Sequence, residues 1–392
     1  MPSVLPATMA AALTRVPTMA KAASRVPTEG KTGPARKSHR RRRRRRHSFR
    51  RDPRSSSPER ASRGCPSGEA REEGCRTHVR HVAVTGGTGF VGRAVVSALL
   101  ERGLHVTILR RPGRDRQRPR EANRTLAEVA RRGGRVVEGD LLETGALSEL
   151  VAGADAVVHL VGIIREHPRQ DVTFERVVVE GTRRLVAAAR SAGIGRFVLM
   201  SALGADADDP WPYPRTKGLA EAIAREAGFT DLVIFRPSII YGPGDGFVGM
   251  LARMMRRLPL FPVFGDGAFP LQPVPVWVVA QAVAEAAGAP LPAAGEPGRV
   301  RLYEVGGADV LTYRELLAAV AERVGARPAF VRVPLGWVRA AARVGQGLPG
   351  FPITVQQLEL LTRGSTGDTR AFYADFAVPS VPFREGIRAY EI

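Results

Sequence analysis

Short apolar runs alternate with longer stretches of helical periodicity between residues 81 and 236. Because the runs are apolar throughout, the alternation predicts an α/β fold: a doubly wound parallel sheet covered by helices on both faces. The predicted strands are Val82–Val84, Val106–Leu109, Arg135–Glu138, Ala156–Val161, Arg196–Met200 and Leu232–Phe235. The predicted helices are 92–102, Leu126–Arg132, Leu147–Ala152, Phe174–Ala192 and Tyr213–Ala227.

The alternation weakens after Arg236, where Pro and Gly become frequent. Here the pattern predicts long loops at Pro237–Gly246 and Leu258–Pro275. It predicts helices at Val276–Ala287, Tyr313–Val324 and Leu335–Val344. We therefore divide the folded part into a nucleotide-binding domain at 79–236 and a smaller substrate or partner lobe at 237–392. We expect the lobe to lie at the carboxyl ends of the strands, where ligands bind in open α/β sheets, and some of its elements to return to the sheet.

Residues 1–78 do not have the pattern of a packed domain. They are rich in Ala, Pro, Ser, Thr and Arg, and the arginine run Arg40–Arg46 would repel itself, so we expect disorder. The chain carries a net charge of +21, and residues 1–80 hold 21 Lys and Arg against 6 Asp and Glu. The basic character therefore belongs mainly to this tail and says little about the folded part.

Three interpretations of the tail stay open. It resembles a transit peptide in its first 28 residues, which contain no acid. It could instead be an arm that binds nucleic acid or anionic lipid non-specifically. We favour a third interpretation, in which the start codon is wrongly assigned, since the recognisable fold begins abruptly near Val79. We do not expect the folded part of the chain to bind nucleic acid; only the arginine-rich tail could do so, without sequence specificity.

The cysteines and the hydropathy place limits on the class of protein. Cys65 and Cys75 both lie in the tail, without neighbouring ligands for zinc and without a disulfide framework, so we expect no metal site and a cytoplasmic location. No run approaches the roughly 18 apolar residues of a membrane span.

The turn from Thr85 to Gly92 carries the clearest chemical pattern. An apolar run leads into Gly86, Gly89 and Gly92, and a helical pattern follows at once. Glycines at this spacing let the backbone approach a pyrophosphate, and the free N–H groups of the helix start favour the anion. We therefore predict a Rossmann-type dinucleotide site formed by the turn residues Thr85, Gly86, Gly89, Phe90, Val91 and Gly92.

The ends of the next strands extend this site. Asp140 could accept a hydrogen bond from an adenine amino group while Leu141 packs on the ring, although Asp140 could equally cap the next helix. After the second strand, Arg110 and Arg111 stand where an NAD-specific fold would place an acid. Arginines suit a 2′-phosphate, so we favour NADP over NAD, the alternative being a solvated basic loop.

The fourth strand ends at Val161 and Gly162, where a small residue lets the cofactor ribose approach. His159 precedes them, and a packed histidine is a better interpretation of it than a catalytic one.

Tyr213 and Lys217 are spaced to share one face of a helix. The lysine cation would lower the pKa of the phenol, which could exchange a proton with a substrate hydroxyl or carbonyl while hydride moves. The alternative is a surface pair. Because Pro214 disfavours the α conformation for the residue before it, we expect Tyr213 at the N-cap or just before the helix.

Together, Thr85–Gly92, Asp140-Leu141, Tyr213 with Lys217 and the segment Arg236–Gly244 resemble an extended short-chain dehydrogenase/reductase of the NAD-dependent epimerase/dehydratase group. Further motifs resemble the atypical branch related to the nucleotide-binding accessory subunit of respiratory complex I. They are Met200–Ala205, Tyr213–Lys217, Leu271–Val274 and Tyr303–Gly307.

The resemblance implies Tyr213 as acid/base, Lys217 as its pKa modulator and ribose anchor, and Pro237 as a further cofactor contact. The family's catalytic hydroxyl residue aligns with Ala202, and Ser201 precedes it, so Ser201 is retained as a helper whose orientation decides its role.

Two functions follow from these expectations. The first is an NAD(P)-dependent oxidoreductase or epimerase acting on an unidentified carbonyl or hydroxyl substrate. The alternative is a non-catalytic NAD(P)H-binding accessory or assembly protein of a respiratory complex, held at a membrane through a protein partner. The sequence leaves open whether the chain is catalytically active.

Overall fold

Seven parallel strands form the central sheet of the computed structural model, which describes residues 79–113, 119–289, 299–346, 351 and 353–392. The strands are β1 (His81–Thr85), β2 (His105–Arg110), β3 (Arg135–Glu138), β4 (Ala156–His159), β5 (Arg196–Met200), β6 (Asp231–Pro237) and β11 (Arg299–Val305). Their order across the sheet is β11-β6-β5-β4-β1-β2-β3. The predicted fold class is confirmed. The predicted tail, with its cysteines and arginine run, lies outside the described residues.

The strand order reverses direction between β1 and β4. The chain runs outward through β2 and β3, then returns to pair β4 with the other side of β1 in register Thr85↔His159. In doubly wound sheets, the crevice at such a reversal, outside the carboxyl ends of the strands, is where ligands bind.

Helices cover both faces of the sheet. Alternation along β1 sends Val82 and Val84 to one face and Ala83 to the other. The first face packs against α1 (Phe90–Glu101) and α7 (Val276–Gly288), and α2 (Pro119–Arg131) flanks α1. The second packs against α3 (Thr144–Val151), α4 (Gly181–Ser191) and α5 (Pro212–Glu226). Fully buried side chains such as Leu99 and Leu185 each stabilise these layers by about 1.5–3 kcal/mol.

The C-terminal part adds a third apolar cluster, which includes Leu251, Phe261, Tyr313 and Leu317. Parallel pairs join β8 to β13 and β7 to β10, and β9 pairs antiparallel with β12. The elements are β7 (Ile240–Tyr241), α6 (Val248–Met255), β8 (Leu260–Phe264), β9 (Pro270–Leu271), β10 (Val274–Pro275), β12 (Leu311–Thr312), α8 (Tyr313–Arg323), β13 (Ala329–Val333), α9 (Leu335–Gly345), α10 (Val355–Thr362), α11 (Arg370–Asp375) and α12 (Phe383–Gly386).

Several predicted boundaries were wrong. The predicted loop Leu258–Pro275 contains three short strands, which form only because distant segments pair with them. The fourth strand ends at His159 rather than Val161, and α2 begins at Pro119 rather than Leu126. The predicted helix Phe174–Ala192 starts as a π-helical turn at Glu175–Glu180, and a short 3₁₀ turn, Pro168–Gln170, precedes it.

No helix in the described part of the chain combines the length and the apolar character needed to cross a membrane.

Candidate functional site

A cavity of about 700 Å³ lies at the reversal of strand order. Its walls come from the segments that follow β1, β2, β3 and β4, and from the π-helical turn that leads into α4. The lining residues are Gly86, Thr88, Gly89, Leu109, Arg111, Gly139, Asp140, Leu141, Leu142, Glu143, Leu160, Val161, Gly162, Ile163, Asp171, Arg176, Val177, Glu180 and Arg184. The volume falls in the range of small-molecule and cofactor pockets.

The glycine turn forms the floor of this cavity. Gly86 has a φ of +76°, a left-handed conformation that favours glycine, and its carbonyl accepts a 3.0 Å hydrogen bond from Gly89 N. A Cβ on Gly92 would overlap the Gly86 carbonyl, so only glycine lets α1 approach its strand this closely. Gly89 is the N-cap of α1 and has no side chain to satisfy the first N–H groups. The turn therefore fits an anionic pyrophosphate.

Phe90, Val91 and Gly92 lie in the first turn of α1, outside the cavity lining. Thr85 is buried at the end of β1 and contacts His159 instead of the cavity. Pro237 ends β6, where its carbonyl accepts a hydrogen bond from Leu203 N, 3.1 Å away. These residues position the turn and the neighbouring loops, whereas Gly86 and Gly89 face the cavity itself.

His159 is a packed residue. Its Nδ1 lies 2.6 Å from Thr85 Oγ1, and its Nε2 lies 3.0 Å from Thr182 Oγ1. Thr182 donates its own proton to the Val178 carbonyl, so His159 Nε2 donates and Nδ1 accepts. Burial, and then the charge of Lys217, lower the pKa of His159 to about 3. The neutral imidazole thus links β4 to β1 and to α4. It is not available as an acid at neutral pH.

The two arginines after β2 have different environments. Arg111 lines the cavity, and its Nε lies 2.7 Å from Asp140 Oδ2. Arg110 lies outside the lining, and its Nη1 lies 3.0 Å from Glu138 Oε1. The other oxygen of Asp140 accepts a hydrogen bond from Leu142 N, in the turn that leads to α3. The structure therefore brings Arg111, Asp140 and Leu141 together at the cavity wall, and it separates Arg110 from them.

Lys217 is buried at the Gly162 end of the cavity. Its Nζ donates a 2.9 Å hydrogen bond to the Met200 carbonyl at the end of β5. A Cβ on Gly162 would lie 3.1 Å from Nζ, so the glycine leaves space for the ammonium group. Burial lowers the pKa of Lys217 to about 8, although the charge of Glu221 opposes the shift. A cation that can lose its proton near neutral pH is therefore placed beside the predicted ribose contact.

Tyr213 lies one helical turn before Lys217. The helix α5 begins at Pro212 with Trp211 as N-cap, so Tyr213 is its second residue and the prediction of an N-cap position was wrong. Two prolines are tolerated because the first turn has no intrahelical donors to lose. The ring packs against Phe174 with centroids 5.9 Å apart. Burial raises the pKa of the phenol to about 12, so the predicted lowering of this pKa by Lys217 was wrong. The ordinary i,i+4 spacing of Tyr213 and Lys217 is thus retained.

Ser201 is buried and donates a 2.5 Å hydrogen bond to Glu221 Oε1. Arg236 donates to both oxygens of the same carboxylate, at 2.8 Å and 2.7 Å. The hydroxyl is therefore engaged in a buried network between β5, α5 and β6. Ala202, at the aligned position, has no hydroxyl to offer.

One wall of the cavity was missed in the sequence. It comes from the π-helical turn and the start of α4, which place Arg176, Val177, Glu180 and Arg184 on the cavity. Arg176 pairs with Asp171 at 2.9 Å, and Arg184 pairs with Glu180 at 2.6 Å. This helix is the first α-helix after β4, which could have indicated the wall, since helices of such folds begin at the carboxyl edge of the sheet.

Comparison with known proteins identifies similar chains. Residues 82–269 match the model of the NAD dependent epimerase/dehydratase family. A ceramide reductase from Caulobacter vibrioides is 33% identical over 309 residues, which are 78% of this chain and 88% of that protein. Subunit 9 of the NADH dehydrogenase [ubiquinone] 1 alpha subcomplex from Arabidopsis thaliana is 28% identical over 272 residues, 69% of this chain and 64% of that protein.

Among solved structures, the UDP-glucose 4-epimerase of Thermus thermophilus in complex with NAD superposes with a TM-score of 0.55 at 24% identity. The superposition covers 79% of this chain and 97% of that one, and it agrees with the fold described above.

Proposed function

Since the chain belongs to the NAD dependent epimerase/dehydratase family, which binds a dinucleotide, we propose that it is an oxidoreductase that reduces a carbonyl group. The reaction would take place at the Gly162 end of the large cavity, next to the Lys217 ammonium group. Tyr213 lies one helical turn before Lys217 on α5, and neither side chain belongs to the cavity lining of the structure. The observation that carries this proposal is the buried Lys217 ammonium group, which lies against Gly162 at the cavity and one helical turn after the phenol of Tyr213.

Different residues of the cavity fit the pyrophosphate, the adenine and the nicotinamide ribose of a dinucleotide. The glycine turn at Gly86 and Gly89 accepts the pyrophosphate, because its backbone leaves no side chain in the way. Asp140 and Leu141 accept the adenine ring, and Gly162 gives the nicotinamide ribose room beside Lys217. When bound, the reduced dinucleotide would supply the hydride.

Tyr213 donates the proton in this scheme. The phenol is protonated at neutral pH, since the ordinary pKa of tyrosine is about 10. It can therefore act as the acid for a carbonyl oxygen. Lys217, held by the Met200 carbonyl, stabilises the phenolate that remains and orients the ribose.

Ser201 has an indirect role in this proposal. Its hydroxyl is committed to Glu221, so it supports the end of β5 and the start of the loop that leads to Tyr213. Tyr213 would then be the principal hydrogen-bond donor to the substrate oxygen.

We further propose a preference for NADP through Arg111. Its guanidinium group lines the cavity at the end of β2, where the 2′-hydroxyl or 2′-phosphate of the adenosine ribose lies in such folds. Its ion pair with Asp140 holds the side chain in the wall at 2.7 Å.

The test is an assay of the full chain with NADPH and with NADH against ethyl 3-oxoalkanoates, from ethyl 3-oxobutanoate to ethyl 3-oxododecanoate. We expect NADPH oxidation coupled to formation of the 3-hydroxy ester, identified by mass spectrometry. Tight dinucleotide binding without reduction of any of these ketones would contradict the proposed reaction.

A second candidate function is a non-catalytic dinucleotide-binding accessory protein. The engagement of Ser201 with Glu221 favours it, since the family's catalytic hydroxyl is then missing, and the similarity to the complex I subunit agrees with it. This function predicts a reduced dinucleotide that co-purifies with the chain and is not consumed by any ketone of the series.

A further inference from the structure

A second cavity, of about 350 Å³, lies in the C-terminal part of the chain between α6, β8, β13, α9 and α10. Every described residue that lines it is apolar or aromatic, and the one hydroxyl among them belongs to Tyr313. None of these described lining residues carries a charge or an amide side chain. A cavity of this size is in the range of small-ligand sites, and its lining excludes phosphates and sugars, whose polar groups would lose their hydrogen bonds to water.

The side chains that line this cavity can adapt to the shape of a flexible ligand. Met250 and Met254 on α6 contribute unbranched, polarizable side chains that fill irregular spaces. Trp337 on α9 lines the cavity and yet is 75% exposed, so the cavity has an apolar entrance rather than a sealed wall.

Two links connect this cavity to the segments that hold the proposed catalytic groups. Arg165, three residues after Gly162, donates to the Phe351 carbonyl at 3.3 Å and to the Gln346 carbonyl at 3.2 Å, and Phe351 lines the cavity. On the other side, Arg363, which lies two residues after the lining residue Leu361, is 2.6 Å from Asp209.

These links limit the distance between the two cavities. Three residues of fully extended chain span at most about 11 Å, so Gly162 lies within that distance of Arg165. Asp209 precedes Tyr213 by four residues, a span of at most about 14 Å. The segments that hold Gly162 and Tyr213 are therefore tied to the edge of the apolar cavity, and a substrate that occupies both places must have a hydrocarbon chain long enough to span the distance between them.

We infer that the apolar cavity of the C-terminal part binds the hydrocarbon chain of an amphiphilic ketone whose carbonyl is reduced beside Tyr213. The inference rests on the proposed function and names its substrate class. The hydrocarbon chain supplies the affinity through apolar burial, and the cavity therefore selects substrates by length.

The first test measures kcat/KM across the ethyl 3-oxoalkanoate series. Each methylene that enters the cavity should raise kcat/KM by up to about fourfold. Ala341 lines the cavity and is exposed, so a tryptophan can replace it without disturbing the core. Ala340, its neighbour on α9, is exposed and lies outside the lining. We expect Ala341→Trp to abolish the dependence on chain length and Ala340→Trp to preserve it.

The second test does not depend on turnover. Fluorescence titration with 11-(dansylamino)undecanoic acid should show binding to the full chain, a dissociation constant raised at least about tenfold by Ala341→Trp, and no change in Ala340→Trp. Reduction of the ketones without dependence on length, or equal behaviour of the two variants, would overturn the assignment of the cavity and leave the proposed reaction intact. Probe binding that is sensitive to Ala341→Trp, without reduction of any ketone, would overturn the reaction and support the cavity as a hydrocarbon site. Failure of the probe to bind the unaltered chain would overturn the cavity assignment.

Discussion

The large cavity and the apolar cavity differ in the chemistry of the residues that line them. The large cavity combines aliphatic side chains with backbone and charge: a glycine turn, the paired Arg111 and Asp140, and further ion pairs along its helical wall. The apolar cavity is built from side chains without charge, which belong to helices and strands of the C-terminal part. A glycine turn that binds through backbone N–H groups fits one chemical group of fixed shape. An apolar lining of side chains instead limits the length and shape of the ligand. The first therefore suits the cofactor and the second the variable part of a substrate.

If this division is correct, substitutions in the large cavity should change dinucleotide binding or turnover and leave the affinity for the dansyl probe unchanged. The following predictions use that contrast, and the probe titration is the common control.

Lys217→Met should have the largest effect of the four, because it removes the buried cation one helical turn after Tyr213 and next to Gly162. We expect kcat/KM for ketone reduction to fall by about a hundredfold or more. In the unaltered chain, kcat/KM should also fall as the pH rises through about 8, where Lys217 loses its proton. That inflection should be missing from the pH profile of the variant, and its persistence there would show that another group titrates.

Gly92→Ala should weaken the dinucleotide site and the fold together, since the added Cβ overlaps the Gly86 carbonyl. We expect a loss of about 1–3 kcal/mol of stability and a dinucleotide dissociation constant at least about tenfold higher. Gly145→Ala is the matched control, because a Cβ at this helical glycine of α3 meets open space and should leave binding unchanged. Calorimetric titration would measure the dissociation constant, and thermal melts would measure the stability. Equal dissociation constants for the two variants would contradict the assignment of the glycine turn as the dinucleotide site.

Arg111→Ala should raise the KM for NADPH by about tenfold and change that for NADH far less, because a charge-assisted hydrogen bond to a phosphate is lost. Arg110→Ala, which removes a cation outside the lining, should affect neither cofactor. The measurement is the KM of both variants for NADPH and for NADH, from steady-state kinetics. An equal rise in KM for NADH and NADPH would contradict the assignment of Arg111 to the 2′-phosphate.

Ser201→Ala should have the smallest effect on turnover. It removes one of the hydrogen bonds to Glu221, which keeps its two bonds from Arg236. We expect a loss of about 1 kcal/mol of stability, measured by denaturant unfolding, and an almost unchanged kcat. Ser97→Ala, at an exposed serine that bonds Glu101, should cost less. A fall in kcat comparable to that of Lys217→Met would mean that Ser201 contacts the substrate directly.

The cofactor half of the molecule was largely predictable from sequence because its structure is local. Each strand of the sheet from β1 to β6 except β3 centres on a short apolar run, and the glycine turn lies between a strand and its helix within a dozen residues. The ion pair of Arg111 with Asp140 was not predictable, since it joins the ends of two strands that are neighbours only in the folded sheet. The hydrogen bond between Ser201 and Glu221 was also not predictable, since it joins the end of β5 to α5 across 20 residues of sequence.

The C-terminal part was less predictable because its elements depend on distant partners. Leu260–Phe264 became a strand by pairing with Ala329–Val333, and a segment rich in Pro and Gly does not show this in its own pattern. The apolar cavity likewise joins residues from α6 to α10, and no single periodicity marks it.

The most direct test of the central claim compares Tyr213→Phe with the unaltered chain in ketone reduction and in dinucleotide binding. Loss of the phenol proton should lower kcat by about 10²- to 10⁴-fold and leave the dissociation constant of NADPH unchanged. The control Tyr373→Phe removes a phenol oxygen on α11, outside the cavity lining, and should retain kcat. A Tyr213→Phe variant that reduces the ketone at the unaltered rate would contradict the account, because the proton would then come from another group.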